Sequence, residues 1–301
     1  MRVILLGSAA GGGLPQWNCG CRNCQQARAN GPGRSQASVA VSADGERWVL
    51  LNASPDIRTQ VAAHRSLWPS GTRGTPIAAV VLTDGEIDST LGLVLLREAS
   101  SKLPVYAPAG VAALLTDRWP LYSVLAGYGG VEPRLLPDGE AVSLTDVAGR
   151  KLGISCTAVS VGLRPPRYAG AAPADIFGVG LGLRDKSTGG TLAYVPTAPA
   201  INAAVRTIGA GADLLLFDGT FWSDGELRAV GVDAPTAREM GHLPVGGAGG
   251  SLEALPALGA KRTVLVHINN TNPILCSASA ERGQMKAMGV EVGEDGMEFT
   301  L

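Results

Sequence analysis

The sequence predicts a layered α/β fold, an α+β arrangement of sheets covered by helices. Three observations carry this expectation. Short apolar, β-branched runs recur between turn signals along the whole chain, and segments of helical character separate most of them. The 41 glycines among 301 residues supply tight turns, and 46% hydrophobic residues set the chain apart from disordered sequences. No internal repeat or low-complexity block interrupts the pattern, so one domain over residues 1–301 is expected.

Taken in order, strands are expected over Arg2–Leu6, Ser38–Ser42, Trp48–Leu51, Ala78–Leu82, Ser155–Val159, Thr191–Val195, Asp213–Phe217 and Arg262–His267. Each is too short for a stable helix and is rich in Val, Ile or Leu. Helices are expected over Pro55–Ala63, Thr90–Ala99, Gly110–Trp119, Pro199–Ile208, Thr236–Met240, Ser251–Leu258 and Ser279–Met288. The Pro- and Gly-rich stretches Leu163–Pro173 and Gly241–Gly250 read as long functional loops.

Composition excludes several classes. Lys and Arg number 25 against 26 Asp and Glu, a net charge of −1, which provides no basic footprint for nucleic acid or an anionic membrane. No apolar stretch approaches the ~18 residues of a membrane span. The run Met1–Gly7 is shorter than the ~7–15-residue core of a signal peptide with its flanks, so a cytoplasmic location is expected. Five cysteines in a reducing compartment argue against disulfides.

Cys19, Cys21 and Cys24 instead suggest a metal. Three soft thiolates within six residues on one loop can wrap a tetrahedral ion, and zinc is the usual occupant of such a closed, structural site. Cys156 reads as an ordinary strand cysteine, Cys276 as a loop or helix-start thiol, and His64 as a solvent-facing or packed helix residue. A second candidate follows the strand ending at Leu82, where Asp84, Glu86 and Asp88 recur at alternate positions before a helix expected near Ser89. These carboxylates can converge on a cation, or Asp88 and Ser89 can cap the helix. Asp218 and His267 each end a strand-like run, and His242 lies among Gly, Leu and Pro. Two histidines with Asp88 or Asp218 match the two-His-one-carboxylate arrangement suited to Fe²⁺, with Zn²⁺ as the alternative.

In order, Asp84-Gly85-Glu86-Ile87-Asp88-Ser89, Asp218, His242 and His267 resemble the metallo-β-lactamase superfamily, whose first metal motif is His-x-His-x-Asp-His. Asp84 and Glu86 stand at the first two histidine positions, Asp88 at the aspartate and Ser89 at the last histidine. With Gly7-Ser8-Ala9-Ala10-Gly11-Gly12-Gly13, Pro15-Gln16-Trp17-Asn18-Cys19, Asn52-Ala53-Ser54-Pro55-Asp56-Ile57-Arg58, Leu96-Arg97-Glu98 and His267-Ile268-Asn269-Asn270-Thr271-Asn272-Pro273, motifs that span nearly the whole chain, the sequence resembles the pyrroloquinoline quinone (PQQ) biosynthesis protein B family.

The resemblance implies an αββα sandwich, a structural zinc on the cysteine loop, and a step in making PQQ. It implies iron-dependent hydroxylation of the tyrosine of a Glu-Tyr unit cut from a precursor peptide. Older descriptions of the family imply transport of PQQ or its precursor towards the periplasm. Asp88, Asp218 and His267 would then be ligands, His242 a ligand or general acid/base, Glu86 or His242 a compensation for Ser89, and Arg97 a support. A soluble carrier and a superfamily hydrolase using metal-bound hydroxide are the other classes; three histidines are few for a two-metal hydrolase. Family members often carry His after Asp88, so Ser89 implies weaker metal binding or slower turnover. In the phosphodiesterase branch with a similar cysteine loop, a His three residues after the last active-site His completes the zinc site. Asn270 stands there, which leaves Asn270, His267 or water as the fourth ligand. Oligomeric state is left open, a homodimer included.

Overall fold

Period-two alternation explains the layers. In the computed structural model, which describes residues 1–31, 33–170 and 175–301, the first strand β1 (Arg2–Gly7) turns Val3 and Leu5 to one face and Ile4 and Leu6 to the other. All four are buried. A strand apolar on both faces must be covered on both, by a second sheet on one side and helices on the other.

The first sheet holds β1, β2 (Ser38–Ser42), β3 (Trp48–Leu51), β4 (Ile77–Val81), β5 (Leu103–Ala107) and β6 (Val131–Leu135). The second holds β7 (Ala141–Thr145), β8 (Lys151–Ser160), β9 (Val179–Asp185), β10 (Thr191–Val195), β11 (Leu214–Asp218), β12 (Thr263–Val266) and β13 (Val290–Val292). The last strand, β14 (Glu298–Thr300), returns to the first sheet beside β1. The orders are β14-β1-β2-β3-β4-β5-β6 and β13-β12-β11-β10-β9-β8-β7. Each sheet is half antiparallel and half parallel. The parallel halves are β3 to β6 and β10 to β13.

Val3, Leu5, Val39, Val81, Leu216 and Val266 belong to the core between the sheets. Ile4, Leu50, Val80 and Leu93 pack under the helices of one outer face, and Leu215, Phe217, Leu265 and Met285 under those of the other. The result is the αββα sandwich implied by the resemblance. Cys156 lies in the inter-sheet core, as expected of a strand cysteine.

Six strands escaped the sequence. Pro104 and Pro133 interrupt β5 and β6, Gly180 and Gly182 dilute β9, β7 is a partly exposed edge, and β13 and β14 have three residues each. Two expected helices need correction. Thr90–Ala99 is two short helices, Ile87–Thr90 and Gly92–Leu95, beginning two residues before Ser89. Gly92 lies so close to the Ala53 and Ser54 carbonyls that a Cβ there would sit 2.3 Å from Ser54 O, which only glycine allows. Thr236–Met240 is a turn: Glu239 and Thr236 bond each other's backbone N–H, and Gly241 at φ +88° ends it after one turn. Of the expected loop Leu163–Pro173, residues 171–173 lie outside the described residues. Among the described residues no helix is long and apolar enough to cross a membrane.

Candidate metal centres

The three-cysteine segment is an excursion closed at its base, where Leu14 and Arg34 exchange backbone hydrogen bonds of 2.8 and 2.7 Å. The cysteines are not all on a loop. Cys19 sits in a turn, Cys21 immediately precedes the helix Arg22–Ala29, and Cys24 is buried in that helix's first turn. Arg28, from the last turn, donates to the carbonyls of Cys19 (2.7 Å) and Gln16 (2.6 Å), folding the turn back over the helix. The three sulfurs lie within 4.8 Å of one another.

From the opposite side Asn270 points its side-chain amide at them, with Nδ2 3.0 Å from Cys19 Sγ and 3.3 Å from Cys24 Sγ. Burial pushes the Cys24 thiol up to about 11. Three crowded sulfurs with one resisting ionisation are the setting in which a soft cation binds as the thiols deprotonate. The cluster fits zinc, and Asn270 is the neighbouring side chain at the fourth position. His267 is removed from that role, because its ring is engaged elsewhere.

The second cluster assembles at the C-terminal ends of parallel strands. Asp218 is the last residue of β11 and follows the parity of Leu214 and Leu216, which face the inter-sheet core. It is fully buried and accepts four hydrogen bonds: at Oδ1 from Thr220 N (3.0 Å) and Oγ1 (2.6 Å), at Oδ2 from Ala198 N (2.9 Å) and His242 Nδ1 (2.8 Å). Burial opposes its ionisation, but the charge and hydrogen bond of His242 outweigh it and lower the pKa.

His267 directly follows β12, where simple alternation would turn it to the helix side with Leu265. Its backbone at φ +54° breaks the alternation. Its Nδ1 lies 2.9 Å from Thr220 Oγ1. That hydroxyl's single proton is drawn to the Asp218 carboxylate, so it accepts from Nδ1–H, which leaves Nε2 to bind a cation. Nε2 lies 3.2 Å from Asp88 Oδ2. A lone pair facing a carboxylate requires a proton or a metal between them. Burial works against protonation of His267, yet the hydrogen bond and charge of Asp88, reinforced by Asp218 and Asp84, raise its pKa. The ligand atoms of Asp218, His242 and His267 lie within 4.8 Å of one another, and the two imidazoles stack with centroids 5.5 Å apart. The donor set fits a hard-to-borderline divalent ion.

Asp88 and Ser89 occupy the first turn of the helix Ile87–Thr90, and neither makes a side-chain cap there. Asp88 is approached so closely by Gly11 that a Cβ there would sit 3.1 Å from Oδ2. Ser89 is buried, its carbonyl accepting from Ala53 N at 2.8 Å. Asp84 accepts from Thr83 Oγ1 (2.7 Å) and Glu86 N (3.0 Å), while Asn52 holds Thr83 through its amide. Burial, then Asp88, raises the Asp84 pKa; burial, then Asp84 and Asp88, pushes Glu86 up to about 7. Arg97 lies apart: its guanidinium stacks over Tyr128 and pairs with Glu98. Thr220, Asn52 and Gly11 were not anticipated as site residues. The Asp-Gly-Thr sequence after a strand was a signal for Thr220, since Asp and Thr there bond the turn they begin.

A model described as beta-lactamase superfamily domain matches residues 47–268. A coenzyme PQQ synthesis protein B from Methylococcus capsulatus is 44% identical over 100% of both chains, and one from Cupriavidus necator is 42% identical over 99% of each. The crystal structure of zinc-bound PqqB from Methylobacterium extorquens superposes with a TM-score of 0.90 at 40% identity, covering 100% of each chain. Conserved length, shared fold and this identity together place the chain: it belongs to the coenzyme PQQ synthesis protein B family, within the metallo-β-lactamase fold.

Proposed function

We propose that this chain acts in PQQ biosynthesis as an iron-dependent hydroxylase of the tyrosine ring in a Glu-Tyr unit, working in the cytoplasm. The observation that carries the proposal is the pairing of His267 Nε2 with Asp88 Oδ2 beside the Asp218–His242 pair. It offers two imidazoles and two carboxylates, the mixed nitrogen and oxygen set that suits ferrous iron. The zinc in the Methylobacterium extorquens relative supports metal binding by the same fold.

Asp88, Asp218, His267 and His242 would hold the ion, and Cys19, Cys21 and Cys24 a structural zinc. When bound, iron supplies the activation of dioxygen. The protein's part is positional. Thr220 fixes the His267 tautomer, and Asp218 orients His242 by accepting from Nδ1–H. His242 then offers Nε2 as a further donor or as the base receiving the phenolic proton. Exposed Glu86, at the start of the helix that carries Asp88, and buried Ser89 would be the further polar groups beside it.

In the overall reaction one oxygen atom enters the ring and the other leaves as water, with two electrons and two protons from an external reductant. The test is mass spectrometry of Glu-Tyr incubated with iron-reconstituted protein, reductant and isotopically labelled dioxygen. Product heavier by one labelled oxygen is expected. Unmodified Glu-Tyr from fully metallated protein overturns the hydroxylase, and tight binding of a PQQ precursor without turnover would favour a carrier.

A further inference from the structure

Six residues, His267 to Asn272, reach both metal centres. At one end His267 belongs to the histidine and carboxylate cluster. In the middle Asn270 faces the cysteine sulfurs. Two further asparagines join this loop to the centres on either side. Asn23, between Cys21 and Cys24, donates from Nδ2 to the carbonyls of Asn270 and Asn272, each at 2.9 Å. Asn272 is fully buried and donates from its own Nδ2 to Gly219 O (2.9 Å) and Thr220 O (3.3 Å), the turn that follows Asp218. Asn269 N adds a bond to Thr220 O at 3.0 Å.

We propose that occupation of the cysteine site sets the metal affinity of the histidine site, with Asn23 and Asn272 as the positioning residues that connect them. This rests on the two-centre reading given above. The physical basis is the strained start of the loop. A histidine at φ +54° sits in a backbone region that L side chains rarely adopt, and it stays there only where its surroundings over-determine it. Gathering the three sulfurs on an ion fixes Asn23 in the first helical turn. Asn23 then fixes two carbonyls of the loop, and Asn272 passes the constraint to the turn whose Thr220 orients the His267 ring. With the sulfurs ungathered, that chain of bonds loses its anchor and His267 is free to leave the unfavourable backbone region.

The experiment is an anaerobic Co²⁺ titration of metal-stripped wild type, Asn23→Ala and the isosteric Asn23→Asp. Thiolate-to-cobalt charge transfer reports the cysteine site, and ligand-field bands report the histidine site. Both variants lose the Nδ2 donors without touching a ligand. The expected result is an unchanged charge-transfer band, a melting temperature within a few degrees of wild type, and second-site affinity lower by about 10- to 100-fold with altered ligand-field bands. Wild-type affinity at the histidine site in both variants overturns the coupling while leaving two centres standing. Loss of the thiolate band in both overturns it too, by making Asn23 a part of the cysteine site's own frame. A wild type that takes cobalt at the thiolates alone removes the second centre and the coupling with it.

Discussion

The two proposed metal centres are built from opposite kinds of sequence information. The cysteine site draws its sulfurs from six consecutive residues, held by a turn, the first turn of one helix and Arg28 four residues beyond Cys24. The histidine site gathers Asp88, Asp218, His242 and His267 from four separate segments, brought together because parallel strands in two sheets end at the same edge. A local site can persist while the fold around it loosens. A dispersed one exists only when both sheets are in register, so it should be more sensitive to distant changes.

The largest expected effect is at the hub of the dispersed site. Asp218→Ala strands His242 Nδ1, Thr220 and Ala198 N–H without their buried acceptor, which should cost about 3–5 kcal/mol. It should also abolish the second metal while the cysteine-bound ion stays. Thermal melts with elemental analysis check both parts, and a variant as stable as wild type would show that this carboxylate is not the hub.

Next comes the local site. Metal there stabilises by mass action, about 2.7 kcal/mol at a hundredfold excess over Kd. Stripping it, or replacing Cys19, Cys21 and Cys24 with Ser, should lower the melting temperature by roughly 5–10 °C. An unchanged melt with unchanged metal stoichiometry in the triple variant would refute a structural zinc.

These contrasts follow what was legible in the sequence. The Cys19–Cys24 spacing suggested a metal by itself, although it could not show that Cys24 lies in the first turn of a helix. Strand ends located Asp218 and His267 to within a residue, because apolar runs mark where buried strands stop, whereas Asp88 lies six residues beyond Leu82 and His242 follows no strand. Their pairing was not legible: that His242 meets Asp218 and His267 meets Asp88 depends on sheet order, which alternation along one strand does not encode. Asn270 could be placed opposite the cysteines only by resemblance. Thr220, Asn23 and Asn272 act through hydrogen bonds to backbone and ring atoms, and such roles carry no distinctive spacing.

Smaller effects sharpen the comparison. Ser89→His puts an imidazole beside Asp88 and should raise second-site affinity by about tenfold, provided the buried turn admits the ring. Equilibrium titration against a chelator checks this, and lower affinity would mean the turn cannot accommodate it.

The smallest effect lies just before the other end of β11, where Asp213 accepts from Lys261 and from Thr191 N and Oγ1. The Lys261 hydrogen bond, then those of Thr191, hold its pKa down at about 2. A depressed carboxylate stabilises the fold above its unfolded pKa of about 4, and that contribution disappears as pH falls through about 2. Asp213→Asn should therefore cost about 1 kcal/mol, a shift of roughly 2–4 °C, at neutral pH. Both proteins are compared after metal removal, because acid protonates the candidate ligands, and the difference between them should close between pH 4 and 2. A gap that persists at pH 2 would contradict the assignment.

The most direct test of two distinct centres, one local and one assembled, is metal stoichiometry in anaerobically purified wild type and His267→Ala. The account predicts two ions per chain in wild type, one resisting chelation and one exchanging readily, and only the resistant ion in His267→Ala. One ion in wild type, or two in the variant, would contradict it.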